Sequence, residues 1–191
     1  GMKFVSLDAE GNKTDEWICY SVGGGALSEG ENERWIKHEA DVYGKNTLHE
    51  IQQWCENHGR SYWEYVDECE DEDIWDYLME AWHAMQESVE RGLDHEGALP
   101  GPLNLPRKGP TYYVKANGYK QSLQSRALVY AYALSVSEEN ASGGTIVTAP
   151  TCGSCGVLPG VLYHLAKGHK FSDTRILHAL ATAGIFGNVV K

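Results

Sequence analysis

The stretch from Ser137 to Gly160 constrains the fold of this chain more than any other. It runs from a predicted helix end, through the β-branched run Thr145-Ile146-Val147-Thr148, into a loop of small residues and then into a second predicted helix. The loop is dense in glycine, serine, threonine and cysteine. Small residues let the backbone approach a ligand closely, and glycine reaches the positive-φ conformations such a loop needs. Backbone N–H groups just ahead of a helix have no intrahelical acceptor, so the start of the second helix suits an anion. A carboxylate ligand fits that place.

The rest of the chain reads as mainly α with a short N-terminal β-hairpin. Lys3–Leu7 and Glu16–Val22 are predicted strands, and Asp8 to Lys13 between them supplies turn chemistry. Such a hairpin is not stable alone and needs partners. Residues 23–46 show no strong period and are expected to be loop. Thr47 with Glu50, and Ser61 with Glu64, have capping-box spacing and open two predicted helices, the first ended by Gly59. Asp71–Leu93 is the clearest amphipathic helix. Trp75, Leu78, Met79, Trp82, Met85 and Val89 recur at helical spacing, which reads as core packing rather than a cofactor box.

Gly92 to Gly118 is rich in proline and is expected to be an extended or turning strap, either a plain connection or a cover near a site. Lys120–Asn140 reads as a largely buried helix with Leu123, Ala127, Leu128, Tyr130, Ala131 and Leu134 on its apolar face. Cys155–Lys167 gives another, with Val157, Leu158, Val161, Leu162 and Leu165 inward. Ser172 starts the last, whose Ile176, Leu177, Leu180, Ile185 and Val189 face the core, while Ala179, Ala181, Ala183, Gly184 and Gly187 allow close helix approach.

The 191 residues suffice for one domain with a small appendage, and 42% hydrophobic content supports a real core. A net charge of −11 argues against nucleic acid and against anionic membrane surfaces. No apolar run approaches the roughly 20 residues of a membrane span, and no signal peptide is visible. Five cysteines, an odd count, fit a reducing compartment, and a cytoplasmic location is expected. Cys19, Cys55 and Cys69 read as buried or half-exposed thiols. Gly1 before Met2, and the apolar helical pattern still running at Val189-Val190-Lys191, suggest a piece of a longer protein.

Cys152-Gly153-Ser154-Cys155 is formally a C-x-x-C, and a helix start beside it would lower a thiol pKa. A zinc or iron–sulfur site needs further ligands, and no second C-x-x-C or suitably spaced histidine supplies them. From these residues alone, a stand-alone metal site and a redox pair are the lesser readings, and both stay open. His164, His169 and His178 read as surface or satisfied core residues. The acidic run Asp67–Asp73 lacks the spacing and central glycine of a calcium loop.

The opening stretch resembles one found in the iron–sulfur-dependent L-serine dehydratases (L-serine ammonia-lyases), of the form E-N-A-x-G-G-x-[VI]-V-T-A-P-T-N-G-A-C-G-[IV]-[IL]-P. The likeness runs through Glu139-Asn140-Ala141, Gly143-Gly144, Val147 to Thr151, and Gly153 to Gly156, and ends at Pro159. Cys152 stands where many members have Asn, and Ser154 where many have Ala. Tyr20-Ser21-Val22-Gly23-Gly24-Gly25 resembles the family's Y-S-[IV]-G-G-G. Arg91-Gly92, Glu96-Gly97 and Leu99 to Leu103 resemble its R-G-x(3)-E-G-x-L-P-G-P-L. Ala181 to Asn188 resembles the stretch just before its cluster-binding region. Four matches in family order are specific where one Gly-rich patch would be weak.

The resemblance implies a helical catalytic α-domain over 26–191, cut before the cluster-binding region, with 1–25 as the tail of a preceding β-domain or a hairpin. It implies a substrate, L-serine, deaminated to pyruvate and ammonia, and a [4Fe–4S] cluster in the parent protein acting as Lewis acid, with no pyridoxal phosphate. Three later cysteines would hold that cluster, so neither Cys152 nor Cys155 would be a ligand, no metal or cofactor is expected in this piece, and alone it would be inactive. Thr148, Thr151, Gly153, Ser154 and Cys155 would lie near the substrate carboxylate, with Asn140 and Gly144 behind them. Ser21, Gly23 and Gly24 would form a second anion-holding loop. For any one of these a simple turn or cap role stands open, and no general base is identified. A homo-oligomeric parent is expected. Two other readings remain: a small helical C-x-x-C module for metal or thiol redox chemistry, and a binding domain for a small carboxylate.

Overall fold

The computed structural model describes residues 1–23, 26–29, 33–34, 42–148 and 152–190. It divides into two compact units, Gly1–Val42 and Tyr43–Lys191. The first is an antiparallel meander of β1 (Met2–Leu7), β2 (Lys13–Gly23), β3 (Ala26–Glu29) and β4 (Glu33–Arg34) in that spatial order. The β1–β2 turn closes as its residue types dictate. Asp8 Oδ1 accepts the backbone N–H of Glu10 at 3.1 Å and of Asn12 at 2.7 Å, and Gly11 takes φ +87°. Phe4 pairs across from Trp17 with ring centroids 5.5 Å apart. The hairpin expected from the sequence is thus two strands of a larger sheet. Part of 23–46, expected to be loop, supplies β3 and β4, strands too short to show a period.

The second unit holds seven helices among its described residues: α1 (Leu48–His58), α2 (Tyr62–Cys69), α3 (Asp73–Asp94), α4 (Gly109–Asn117), α5 (Gln121–Ala141), α6 (Val157–His169) and α7 (Asp173–Val190). The chain is mainly α, as its periodicity predicts. Thr47 Oγ1 accepts the Glu50 N–H at 3.3 Å, the Glu50 carboxylate returns to the Thr47 N–H at 3.0 Å, and Gly59 ends α1 at φ +62°. At α2 the Ser61 N–H donates to the Glu64 carboxylate at 2.8 Å. No described helix is long and apolar enough to cross a membrane.

Two apolar clusters make the core. One joins Trp82, Met85 and Val89 of α3 to Tyr132 and Val136 of α5, Cys155, Leu162 and Tyr163, and Ile176, Leu177 and Leu180 of α7. The other joins Ile51 of α1, Tyr65 and Val66 of α2, and Ala181 and Ile185 of α7. Trp75 and Leu78 pack against both, so α3 and α7 run from one cluster to the other. The Trp/Met stripe of α3 is core, as read from its spacing.

Four expectations change. The proline-rich segment 92–118 contains α4, because Pro110 sits in the first turn, where the missing N–H is not needed. Before it, Leu99 N–H donates to Leu105 O at 2.8 Å and Arg107 N–H to Gly97 O at 2.9 Å, so 97–107 does turn back as expected. On α5, Leu123 and Tyr130 are exposed; the buried face is Ala131, Tyr132, Ser135 and Val136, continued by Glu138 and Glu139. On α6, Val157 and Val161 are exposed, and Pro159, Gly160, Leu162 and Tyr163 turn inward. Gly184 and Gly187 of α7 lie in open space rather than at a close helix contact.

Candidate functional site

The site is built at the end of α5. Glu138 and Glu139 are adjacent, both buried, and face different elements. Glu138 stops the start of α4: its Oε1 accepts the Lys108 N–H at 2.6 Å and its Oε2 the Gly109 N–H at 3.2 Å. A carboxylate there satisfies otherwise orphaned amides and complements the positive end of the helix dipole.

Glu139 gathers cations from two segments. Its Oε1 meets His95 Nδ1 at 2.6 Å and Arg107 Nη1 at 3.4 Å, and its Oε2 accepts from Arg91 Nε at 3.3 Å. Its side chain is 3% exposed. Burial alone pushes this carboxyl up. The hydrogen bonds from His95 and Arg91, with the charges of His95 and Arg107, outweigh that and hold it below the ordinary glutamate range.

Both arginines also hold the loop that leaves α5. Arg91 Nη2 donates to the Thr145 carbonyl at 2.6 Å, and Arg107 Nη2 donates to Ser142 Oγ at 2.6 Å. Gly143 turns at φ +78°, its N–H reaching Asn140 O at 3.2 Å, and the Gly144 N–H reaches Glu139 O at 2.9 Å. A Cβ on Gly144 would stand 2.7 Å from Glu139 Oε2, so a larger residue there requires the carboxylate to shift. The far end of the loop is a single 3-10 turn, Cys152–Ser154, packed beside α5. Gly156 and Gly160 then bring α6 onto the backbone of Ala133; a Cβ on Gly160 would lie 2.9 Å from Ala133 N.

The residues expected at the site are thus partly gathered. Asn140 and Gly144 belong to the turn that leaves α5. Thr148 is exposed further along the loop, and Gly153 and Ser154 lie in the 3-10 turn. Cys155 is buried in the apolar core cluster that includes Trp82 and Leu162. Ser21 and Gly23 lie on β2 in the other unit, paired in register with Leu27 and Ala26. Gly24 and Thr151 fall outside the described residues. Among the described residues no group of three or more His, Cys, Asp or Glu side chains is placed to hold a metal.

Sequence reading missed Arg91, His95, Arg107, Glu138 and Glu139 as site residues. Arg91 and Glu139 lay inside quoted motifs, and the signal was there: two adjacent acids continuing the buried side of a helix, next to a glycine-rich turn. Their partners come from segments 29 to 48 residues away, which no local pattern reports.

Comparison with known proteins bears on this arrangement. The family described as "Serine dehydratase alpha chain" matches residues 21–191. The chain is 32% identical over 203 aligned positions to an L-serine dehydratase of Haemophilus influenzae, covering 100% of this chain and 45% of that relative. It is 32% identical to an L-serine dehydratase of Streptomyces coelicolor, covering 100% of this chain and 44% of the relative. It is 33% identical to L-serine dehydratase 2 of Escherichia coli, over 90% of this chain and 40% of the relative. The chain thus spans less than half the length of these curated relatives.

Proposed function

Because the chain belongs to the serine dehydratase alpha chain family, we propose that it supplies the substrate-holding part of an enzyme that deaminates L-serine to pyruvate and ammonia. One observation carries the reading. The loop that the family resemblance assigns to the substrate carboxylate is held at its first residues, Ser142 and Thr145, by two arginines anchored on a buried glutamate. Residues 142–145, held in this way, present their backbone in one arrangement, so that binding need not order that part of the loop.

Asn140, Gly144, Thr148, Gly153 and Ser154 are the proposed contacts on this unit, with Thr151 between them in sequence. The cluster expected for the parent protein needs three cysteine ligands. Among the described residues no such group of ligands is gathered, so they do not fit the cluster. Pyridoxal phosphate has no place in the proposal. Burial of Cys155 weighs against a thiol redox role, because thiol–disulfide exchange needs access to the sulfur.

The test is a resonance-by-resonance titration of this chain with L-serine, with D-serine as control. L-Serine should move amide signals of residues 140–155 and leave α1 and α2 unmoved, with no pyruvate formed. If L-serine at saturating concentrations shifts nothing in 140–155, the assignment of this loop to substrate is wrong. Pyruvate production at a sustained rate by this chain alone would show that the cluster-dependent chemistry is misassigned.

A further inference from the structure

A buried carboxylate is stable only when its charge is met by hydrogen-bonding partners. Glu139 is met by three. Two of them, Arg91 and Arg107, each spend a second nitrogen on the outgoing loop, one on the Thr145 carbonyl and one on Ser142 Oγ. The loop backbone also bonds directly to Glu139 O through the Gly144 N–H, and Gly144 leaves no room between itself and the carboxylate. Residues 142–145 are therefore gripped by three routes that meet at one residue, two through its carboxylate and one through its backbone carbonyl. Arg107 ends the 97–107 turn and Arg91 lies in the last turn of α3, so the same residue ties the loop to two distant segments.

We propose that Glu139 is a positioning residue for the L-serine site: it does not touch substrate, but sets the conformation of the 142–148 loop through Arg91 and Arg107. This rests on the function proposed above only for the identity of the ligand. The neighbouring Glu138 supplies an internal contrast, since it is also buried yet its carboxylate bonds to the start of α4 and, among the described residues, only its backbone carbonyl meets the turn, at Ser142.

The experiment measures amide hydrogen exchange across this chain, alongside the L-serine titration, for Glu139→Gln, Arg107→Ala and Glu138→Gln. The expected result is that Glu139→Gln and Arg107→Ala each speed exchange at residues 144–148 by about tenfold or more, the equivalent of about 1.4 kcal/mol. Protection in α6 and α7 should be unchanged. Combining the two should add little, because they act through one network. Glu138→Gln should speed exchange only at the start of α4. Affinity for L-serine should fall in the first two variants and hold in the third.

Unchanged exchange at 144–148 in Glu139→Gln would overturn the proposal, as would a uniform rise over the whole unit, which would mark a role in stability alone. If Glu139→Gln does not fold, Ser142→Ala, which removes only the Arg107 link to the loop and one local turn bond, decides in its place by the same readout. The two claims separate cleanly. A loop loosened by Glu139→Gln in a chain indifferent to L-serine supports the positioning role and sinks the serine assignment. L-Serine binding that survives Glu139→Gln with its loop unchanged does the reverse.

Discussion

At Gly92, α3 lies close against the backbone of α5. A Cβ placed there would lie 2.7 Å from the Ser135 carbonyl carbon and 2.8 Å from Ser135 Cβ, in contact with its carbonyl oxygen as well. Ordinary contacts begin near 3.4 Å and the carbonyl oxygen is the nearest atom, so Gly92→Ala requires the two helices to part by roughly 1 Å. The neighbour is helix backbone, which cannot swing aside as a side-chain end would. Overpacking of this kind costs typically 1–3 kcal/mol, and the upper part of that range applies where backbone must move. Against it stands the intrinsic preference of a helix for alanine over glycine, about 1 kcal/mol. The net expectation is a loss of about 2 kcal/mol, or about 4–8 °C in Tm for a chain of this size.

Gly187→Ala on α7 is the matched control. It has the same propensity gain and nothing within 4 Å of the added carbon, so it should stabilise by roughly 0.5–1 kcal/mol. Denaturant midpoints followed by far-ultraviolet ellipticity would compare the two. If Gly92→Ala proves as stable as Gly187→Ala, the close approach of α3 to α5 is not as described. The placement of Arg91 against Glu139, one residue along, would fall with it.

Three further outcomes are expected. Trp82→Ala removes a fully buried ring from the larger core cluster and should lower stability by about 3–5 kcal/mol; a loss under about 1 kcal/mol would mean the cluster is loosely packed. Thr47→Ala removes the cap on the Glu50 N–H and should cost about 1 kcal/mol, read from the urea midpoint, with Thr47→Ser close to wild type. The Glu139 carboxyl is held below its ordinary 4.5 in the folded chain. Its contribution is therefore complete above that value and is lost as pH falls from there through the depressed folded value. The stability gap between wild type and Glu139→Gln should close over that acidic window, and a gap that stays constant to strong acid would contradict the ion cluster.

What could be read from the sequence was local or periodic. The Thr47 and Glu50 box was legible because capping is settled within four residues, and the α3 stripe because six apolar residues at helical spacing admit one buried face. α4 was not legible because proline at the first turn and proline in a loop look alike in sequence. Exposure of Leu123, Tyr130, Val157 and Val161 was misread for a different reason. Glycines 156 and 160 and serine 135 take the close helix contacts, and small residues carry no hydrophobic signal that would announce it. The loop at 142–155 was found through glycine content and family resemblance, but the charges that hold it lie on α3 and on the 97–107 turn. Only the folded chain brings them together.

Successive residues of an α-helix point about 100° apart, and this gives the paired glutamates a consequence for α5 as a whole. Its apolar side chains are spread round the cylinder, Tyr130 outward and Tyr132 inward within two positions, so hydrophobicity alone would accept several rotations of the helix about its axis. Two neighbouring carboxylates with separate destinations accept only one. Turning α5 by a single residue would send Glu138 toward the cations and leave the amides of Lys108 and Gly109 without an acceptor. The rotational setting of the central helix is thus written in charge, while the apolar residues around it supply the cohesion.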